Sequence, residues 1–165
     1  MRRILVLLAM VTVGLLVAGC NATGGGYIPS ATDAEGTATF AFSGKCQNKK
    51  LPNGEVAANI KGQIQYYDHP ADVKIHAEVT RITVITGSAT PCEDQDDTDG
   101  DTDVLTGSYR VPGGPKEVAG DVRLEVTDGG EPGTNGDQVT ISLEGGPYNG
   151  YTNSGFVQGG NVQVH

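Results

Sequence analysis

Tryptophan is absent from the 165-residue chain, and phenylalanine occurs only three times. A stacking platform for sugar rings would therefore rest on the six tyrosines, which cluster only at Tyr66-Tyr67 and from Tyr148 to Tyr151. Three histidines, His69, His76 and His165, share neither helical nor HxH spacing, which leaves a zinc site short of ligands. Basic residues are scarce, 11 Lys and Arg against 20 Asp and Glu for a net charge of −9. Such a balance argues against nucleic acid and against anionic lipid surfaces as partners, since both are polyanions. The GxSxG elbow, a Cys–His nucleophile pair and the GxxxxGK[ST] phosphate loop are all missing. Two carboxylates can meet in a cleft for glycoside hydrolysis, but nothing in the sequence selects a pair. No catalytic constellation emerges, and the expectation is a protein that is not an enzyme.

One long apolar run is present. Arg2 and Arg3 precede Ile4 to Ala18, interrupted only by Thr12 and Gly14. The run is short for a membrane span, which needs about 20 apolar residues. Its layout is that of a secretory signal peptide. Val17-Ala18-Gly19-Cys20 resembles the lipobox of bacterial lipoproteins. The resemblance implies cleavage before Cys20, a diacylglyceryl group on its thiol and usually an acylated amine, enough chains for stable anchoring. Asn21 follows, where an Asp would retain a Gram-negative lipoprotein at the inner membrane. The expected organisation is a signal peptide over residues 1–19, a lipidated Cys20 with a flexible tether over 20–26, and one domain over 27–165. The location implied is the cell envelope, lipid-anchored and facing the periplasm or the exterior.

Loss of residues 1–19 leaves 146 residues, one domain's worth, and removes two arginines, so the net charge becomes −11. Leu, Ile, Val and Phe supply only 27 of those 146 residues, a share at which a thin core is expected. With Cys20 taken by lipid, Cys46 and Cys92 remain as a pair in an oxidising compartment, and a disulfide is the expectation. Closing its loop of about 47 residues is worth roughly 4 kcal/mol in the chain-entropy model.

The mature chain alternates with period two, which is the strand signature. Phe40 and Phe42 share a face; so do Ile60, Ile64 and Tyr66; so do Val73, Ile75, Ala77 and Val79. Ile82 and Val84 then carry the opposite parity, which calls for a bulge or corner near Thr80-Arg81. Leu105, Tyr109 and Val111 form a weaker run. Val122, Leu124 and Val126, then Val139, Ile141 and Leu143, alternate cleanly, and Val157, Val162 and Val164 close the chain. Gly- and Pro-rich turns separate the runs, as at Pro112-Gly113-Gly114-Pro115 and Asp128-Gly129-Gly130. The fold class expected is all-β, an antiparallel sandwich or barrel-like sheet of about seven to nine strands, with no substantial helix after the signal peptide.

Gly24-Gly25-Gly26-Tyr27-Ile28-Pro29, Ala38-Thr39-Phe40-Ala41-Phe42, Gly62-Gln63-Ile64-Gln65-Tyr66, Val126-Thr127-Asp128-Gly129-Gly130-Glu131-Pro132-Gly133 and the ending Gly159-Gly160-Asn161-Val162-Gln163-Val164-His165 resemble the bacterial post-COAP domain. The likeness implies an all-β extracellular module and carries no catalytic residues with it.

Seven of the eleven residues from Glu93 to Asp103 are acidic and none is basic. Crowded carboxylates are relieved by a hard cation with oxygen ligands, so Asp97, Asp99, Asp101 and Asp103 are candidate calcium ligands. The match to an EF-hand loop is poor, with Thr106 where the bidentate glutamate belongs. A solvated acidic loop that keeps a sheet edge soluble is the other reading. The partners expected are the membrane, through the lipid anchor, and an envelope protein or polysaccharide. Function reduces to a structural or binding β-module, calcium-dependent if the loop binds the ion. The alternative is an envelope polysaccharide hydrolase or carbohydrate-binding module.

Overall fold

The computed structural model describes residues 21–52, 56–84, 102–115, 117–130 and 136–164. Nine strands form one antiparallel sheet: β1 (Asn21–Pro29), β2 (Thr37–Lys50), β3 (Val56–Asp68), β4 (Val73–Val84), β5 (Thr102–Arg110), β6 (Gly120–Thr127), β7 (Gln138–Glu144), β8 (Thr152–Phe156) and β9 (Gly159–Val164). The only helical element among the described residues is a single 3₁₀ turn at Gly146–Tyr148. The strand order is β8-β7-β6-β5-β4-β3-β2-β1-β9, a meander whose last strand returns to the first. The sheet curls into a half-barrel. Its inward side chains are the alternating apolar residues, among them Phe40, Ile64, Ile75, Leu105, Leu124 and Ile141, which form one buried cluster. Their outward neighbours meet water, as an antiparallel sheet with one solvated face allows.

The parity change in β4 has its cause in the ladder. Register against β5 shifts between Val79 and Arg81, and the extra residue moves Ile82 and Val84 to the other phase.

One expectation is corrected. Residues 21–26 are not a tether, because β1 begins at Asn21 and pairs on both sides, with β2 from Asn21↔Lys45 and with β9 from Ala22↔Val164. The glycines serve close approach rather than freedom. A Cβ on Gly24 would stand 2.6 Å from the Phe42 ring, and one on Gly26 would collide with the Gly159 carbonyl. Gly160, opposite Gly26, has φ +114, a backbone that L side chains seldom adopt.

Residues 152–164 draw the curled sheet together. As β8 they pair with β7, and after Val157-Gln158 they continue as β9 paired with β1. Two backbone bonds hold the crossing, Val157 N–H to the Asp137 carbonyl (2.9 Å) and Gln158 N–H to the Tyr27 carbonyl (3.0 Å). Farther along, carboxylates stand in for a neighbouring strand. Val162 N–H donates to Asp137 Oδ2 (2.8 Å) and Val164 N–H to Asp128 Oδ2 (3.2 Å). The other oxygens accept from Gly129 N–H (3.0 Å) and Gly130 N–H (2.9 Å). Asp128, just after β6, and Asp137, just before β7, therefore satisfy donors that β9 would otherwise leave open.

Candidate functional site

Most residues singled out in the sequence fall outside the described part of the chain. Cys20, Cys92, Asp97, Asp99 and Asp101 all do. Cys46 is buried in β2 beside Ile60 and Ile82. Asp103 belongs to β5, opposite Val84 and Val126, with none of its surface exposed. Among the described residues no group of three or more His, Cys, Asp and Glu side chains gathers to hold a metal.

Three of the four clustered tyrosines flagged as a stacking platform turn toward the core instead, and only Tyr67 stays on the outer face. Tyr66 is buried, and Tyr148 and Tyr151 are half-buried against the core. Tyr66, Tyr151, Asp68 and Asn153 meet at the end of the sheet where β1 and β3 finish. Asp68 ends β3, Asn153 points inward from β8, and Tyr151 sits just before β8. The Tyr151 hydroxyl donates to Asp68 Oδ2 at 2.6 Å. Its oxygen then accepts the Tyr66 proton at 2.7 Å, since Tyr151 has only one proton to give. Asn153 Nδ2 donates to the Tyr66 oxygen (2.8 Å) and to the Pro29 carbonyl (2.9 Å). Asp68 also accepts from the N–H groups of Ala31 (3.0 Å) and Ala71 (3.4 Å). From Asn153 through Tyr66 and Tyr151 the protons run one way, toward the carboxylate, so each bond polarises the next.

Electrostatics follow from that direction. Burial works to raise the Asp68 carboxyl, but donation from Ser30, Tyr151, Ala31 and Ala71 outweighs it and holds the group below its ordinary value. Burial pushes Tyr66 up to about 12. Tyr151 goes further the same way, from burial first and then from its bond to Asp68 and the nearby Tyr66. Acid and phenols thus move apart, the acid staying ionised and the phenols protonated across neutral pH. General acid–base catalysis needs the reverse, groups tuned toward the working pH. The chain locks the end of the sheet: it joins β1, β3 and β8, three elements that no ladder joins to one another.

On the solvated face a trough of about 640 Å³ crosses β4 to β7. Asp121 and Glu144 are direct cross-strand neighbours in it, both exposed. Arg81, Arg123 and the hydroxyls of Thr106, Ser108 and Ser142 line the remainder. Arg123 is paired with Glu125 at 2.7 Å.

No known family model, curated protein or solved structure matches the chain.

Proposed function

We infer that this protein is a cell-envelope lipoprotein whose β-domain is a non-enzymatic structural or binding module. The observation that carries the non-enzymatic half is the polar chain at Asp68. Asp68 is fully buried, and the bonds of the chain are spent within the fold. The anchor half rests on the signal peptide and the lipobox-like ending at Cys20, and the resemblance to an all-β extracellular module agrees with it. The expected disulfide joins Cys46 to Cys92, and the reading is supported by Cys46 being disulfide-bonded and buried.

Labelling cells with a fatty-acid probe tests the anchor. The wild-type chain should take label and shift on gels, and Cys20→Ser should do neither; an unlabelled wild type overturns the reading. Calcium, on this reading, goes to the loop through Asp97, Asp99 and Asp101, with Asp103 held in β5. A melting temperature that rises in calcium but not in magnesium, and no longer rises when those three become Asn, is the expected sign. No rise at millimolar calcium leaves the loop as solvated charge.

A hydrolase remains the second reading because Asp121 and Glu144 oppose each other in a trough. Its test is release of reducing ends from envelope polysaccharide, lost in Asp121→Asn and in Glu144→Gln. Both acids stand on an open sheet face, so water is not excluded from the pair, and the binding module is preferred.

A further inference from the structure

A second trough, of about 440 Å³, lies on the outer face of β2, β3 and β4. Its charge is the opposite of the protein's. The mature chain carries a net −11, yet the lining holds Lys74 and His76 and no acid. Arg110 of β5 lies directly opposite His76 and lines a neighbouring hollow with it and Glu78, so a third basic side chain borders the trough. Lys74 and His76 are two residues apart on β4 and share a face, about 7 Å apart along the strand. The nearest acid in register is Glu78, one step farther along β4 and opposite Gln63 rather than the trough's Gln65.

The basic groups are already placed. Lys74 Nζ sits 5.3 Å above the Tyr67 ring, which steadies the ammonium without neutralising it. His69 packs on the same ring at 4.0 Å between centroids and meets the Thr39 hydroxyl at 3.4 Å. Exposed Ala41, flanked by Thr39 and Gln65, leaves the floor low.

We propose that this trough binds a carboxylate-bearing sugar chain, an acidic polysaccharide of the envelope, with Lys74, His76 and Arg110 facing the carboxylates and Thr39, Gln65 and Tyr67 facing the hydroxyls and ring. The proposal rests on the binding-module reading above. Three features favour this ligand class. The volume falls within the range of about 300–1,000 Å³ typical of small-ligand sites. β2, β3 and β4 each have both edges paired, so a peptide cannot add as a strand here. Duplex nucleic acid, with one charge per ~1.7 Å of its axis, meets stronger repulsion from the rest of an acidic protein than a single uronate chain with one charge per ring.

The test uses the full chain in non-ionic detergent, titrated with a galacturonic acid trimer, a neutral galactose trimer and inorganic tripolyphosphate. Saturable binding of the acidic trimer alone is expected, with amide shifts confined to β2–β4 and the start of the loop after Arg110. Lys74→Gln and Arg110→Gln each weaken it about three- to fivefold, as exposed charge contacts do. Both side chains are exposed, so the melting temperature should stay put and show that the variants fold. Absence of saturable binding at millimolar trimer, shifts located elsewhere, or equal binding in both variants overturns the proposal. Tripolyphosphate binding as well as the trimer overturns the sugar assignment. None of these outcomes touches the fatty-acid label at Cys20, so the two readings fail separately.

Discussion

Tyr151→Phe removes one oxygen and is expected to unlatch one end of the sheet. The ring remains, so packing against Tyr66, 6.0 Å between centroids, is kept. Two bonds go. The first is the 2.6 Å donation to an ionised carboxylate, worth about 1.5–3 kcal/mol. The second strands the proton of Tyr66, a buried donor whose loss costs about 1–3 kcal/mol. Near 4 kcal/mol in total is a large part of a net stability of about 5–15 kcal/mol. In a domain of this size it lowers the melting temperature by about 8–16 °C. Thermal melts by circular dichroism at neutral pH measure it. Tyr148→Phe is the control, because its hydroxyl reaches only the Asp72 carbonyl at 3.4 Å and should cost little. The variant also deprives Asp68 of a donor, so its acid-unfolding midpoint should move to higher pH. A Tyr151→Phe protein that melts with the control would refute the polar chain as a structural lock.

Other outcomes follow from the same geometry. Gly26→Ala should lose about 1–3 kcal/mol from overpacking against Gly159, measurable by urea unfolding, whereas Gly25→Ala, whose nearest neighbour would be 3.5 Å away, should be tolerated; equal behaviour of the two would mean that β1 is not clamped. Asp137→Asn leaves either Gly129 or Val162 facing an amide N–H₂ instead of an acceptor, so hydrogen exchange at Val162 should accelerate while that at Leu124 stays slow. Stability should hold through neutral pH and fall at both ends. Asp68, held low by its donors, contributes above the ordinary carboxyl range and is lost as pH drops through its own depressed value. Tyr66, with a folded value of about 12 against 10.0, contributes below 10 and is lost as pH climbs toward 12. Flat stability from pH 9 to 12, followed by chemical denaturation, would count against the buried phenols.

Local pattern carried much of the architecture. Alternation at Val122-Leu124-Val126 and Val139-Ile141-Leu143 marks β6 and β7, and the slip after Val79 marks the bulge. β8 escaped because its inward positions are Asn153 and Gly155, with no apolar alternation to read; Asn153 meets the Tyr66 hydroxyl and the Pro29 carbonyl, and Gly155 lies against the side chains of Ile28 and Pro29. Gly24-Gly25-Gly26 misleads for a related reason. A glycine run is the same locally whether the chain is free or crowded, and the crowding comes from Phe42 and Gly159, far along the sequence. The tyrosine–aspartate chain is still less legible. Tyr66 and Tyr151 are 85 residues apart, and neither neighbourhood hints that one phenol will donate to the other. Asp137 resembles any loop acid until Val162 arrives 25 residues later.

The start of β1 at Asn21 has a mechanical consequence. If lipid holds Cys20, any pull between membrane and domain enters the fold along the axis of a strand bonded on both sides, nine register pairs to β2 and six to β9. Such a load acts in shear, and the rungs must yield together rather than peel one at a time from an edge. An anchor at Cys20 would thus pull along the strand rather than across it. The C-terminal run that clasps β1 and β7 would then set how much force such an anchor could transmit before the domain opens.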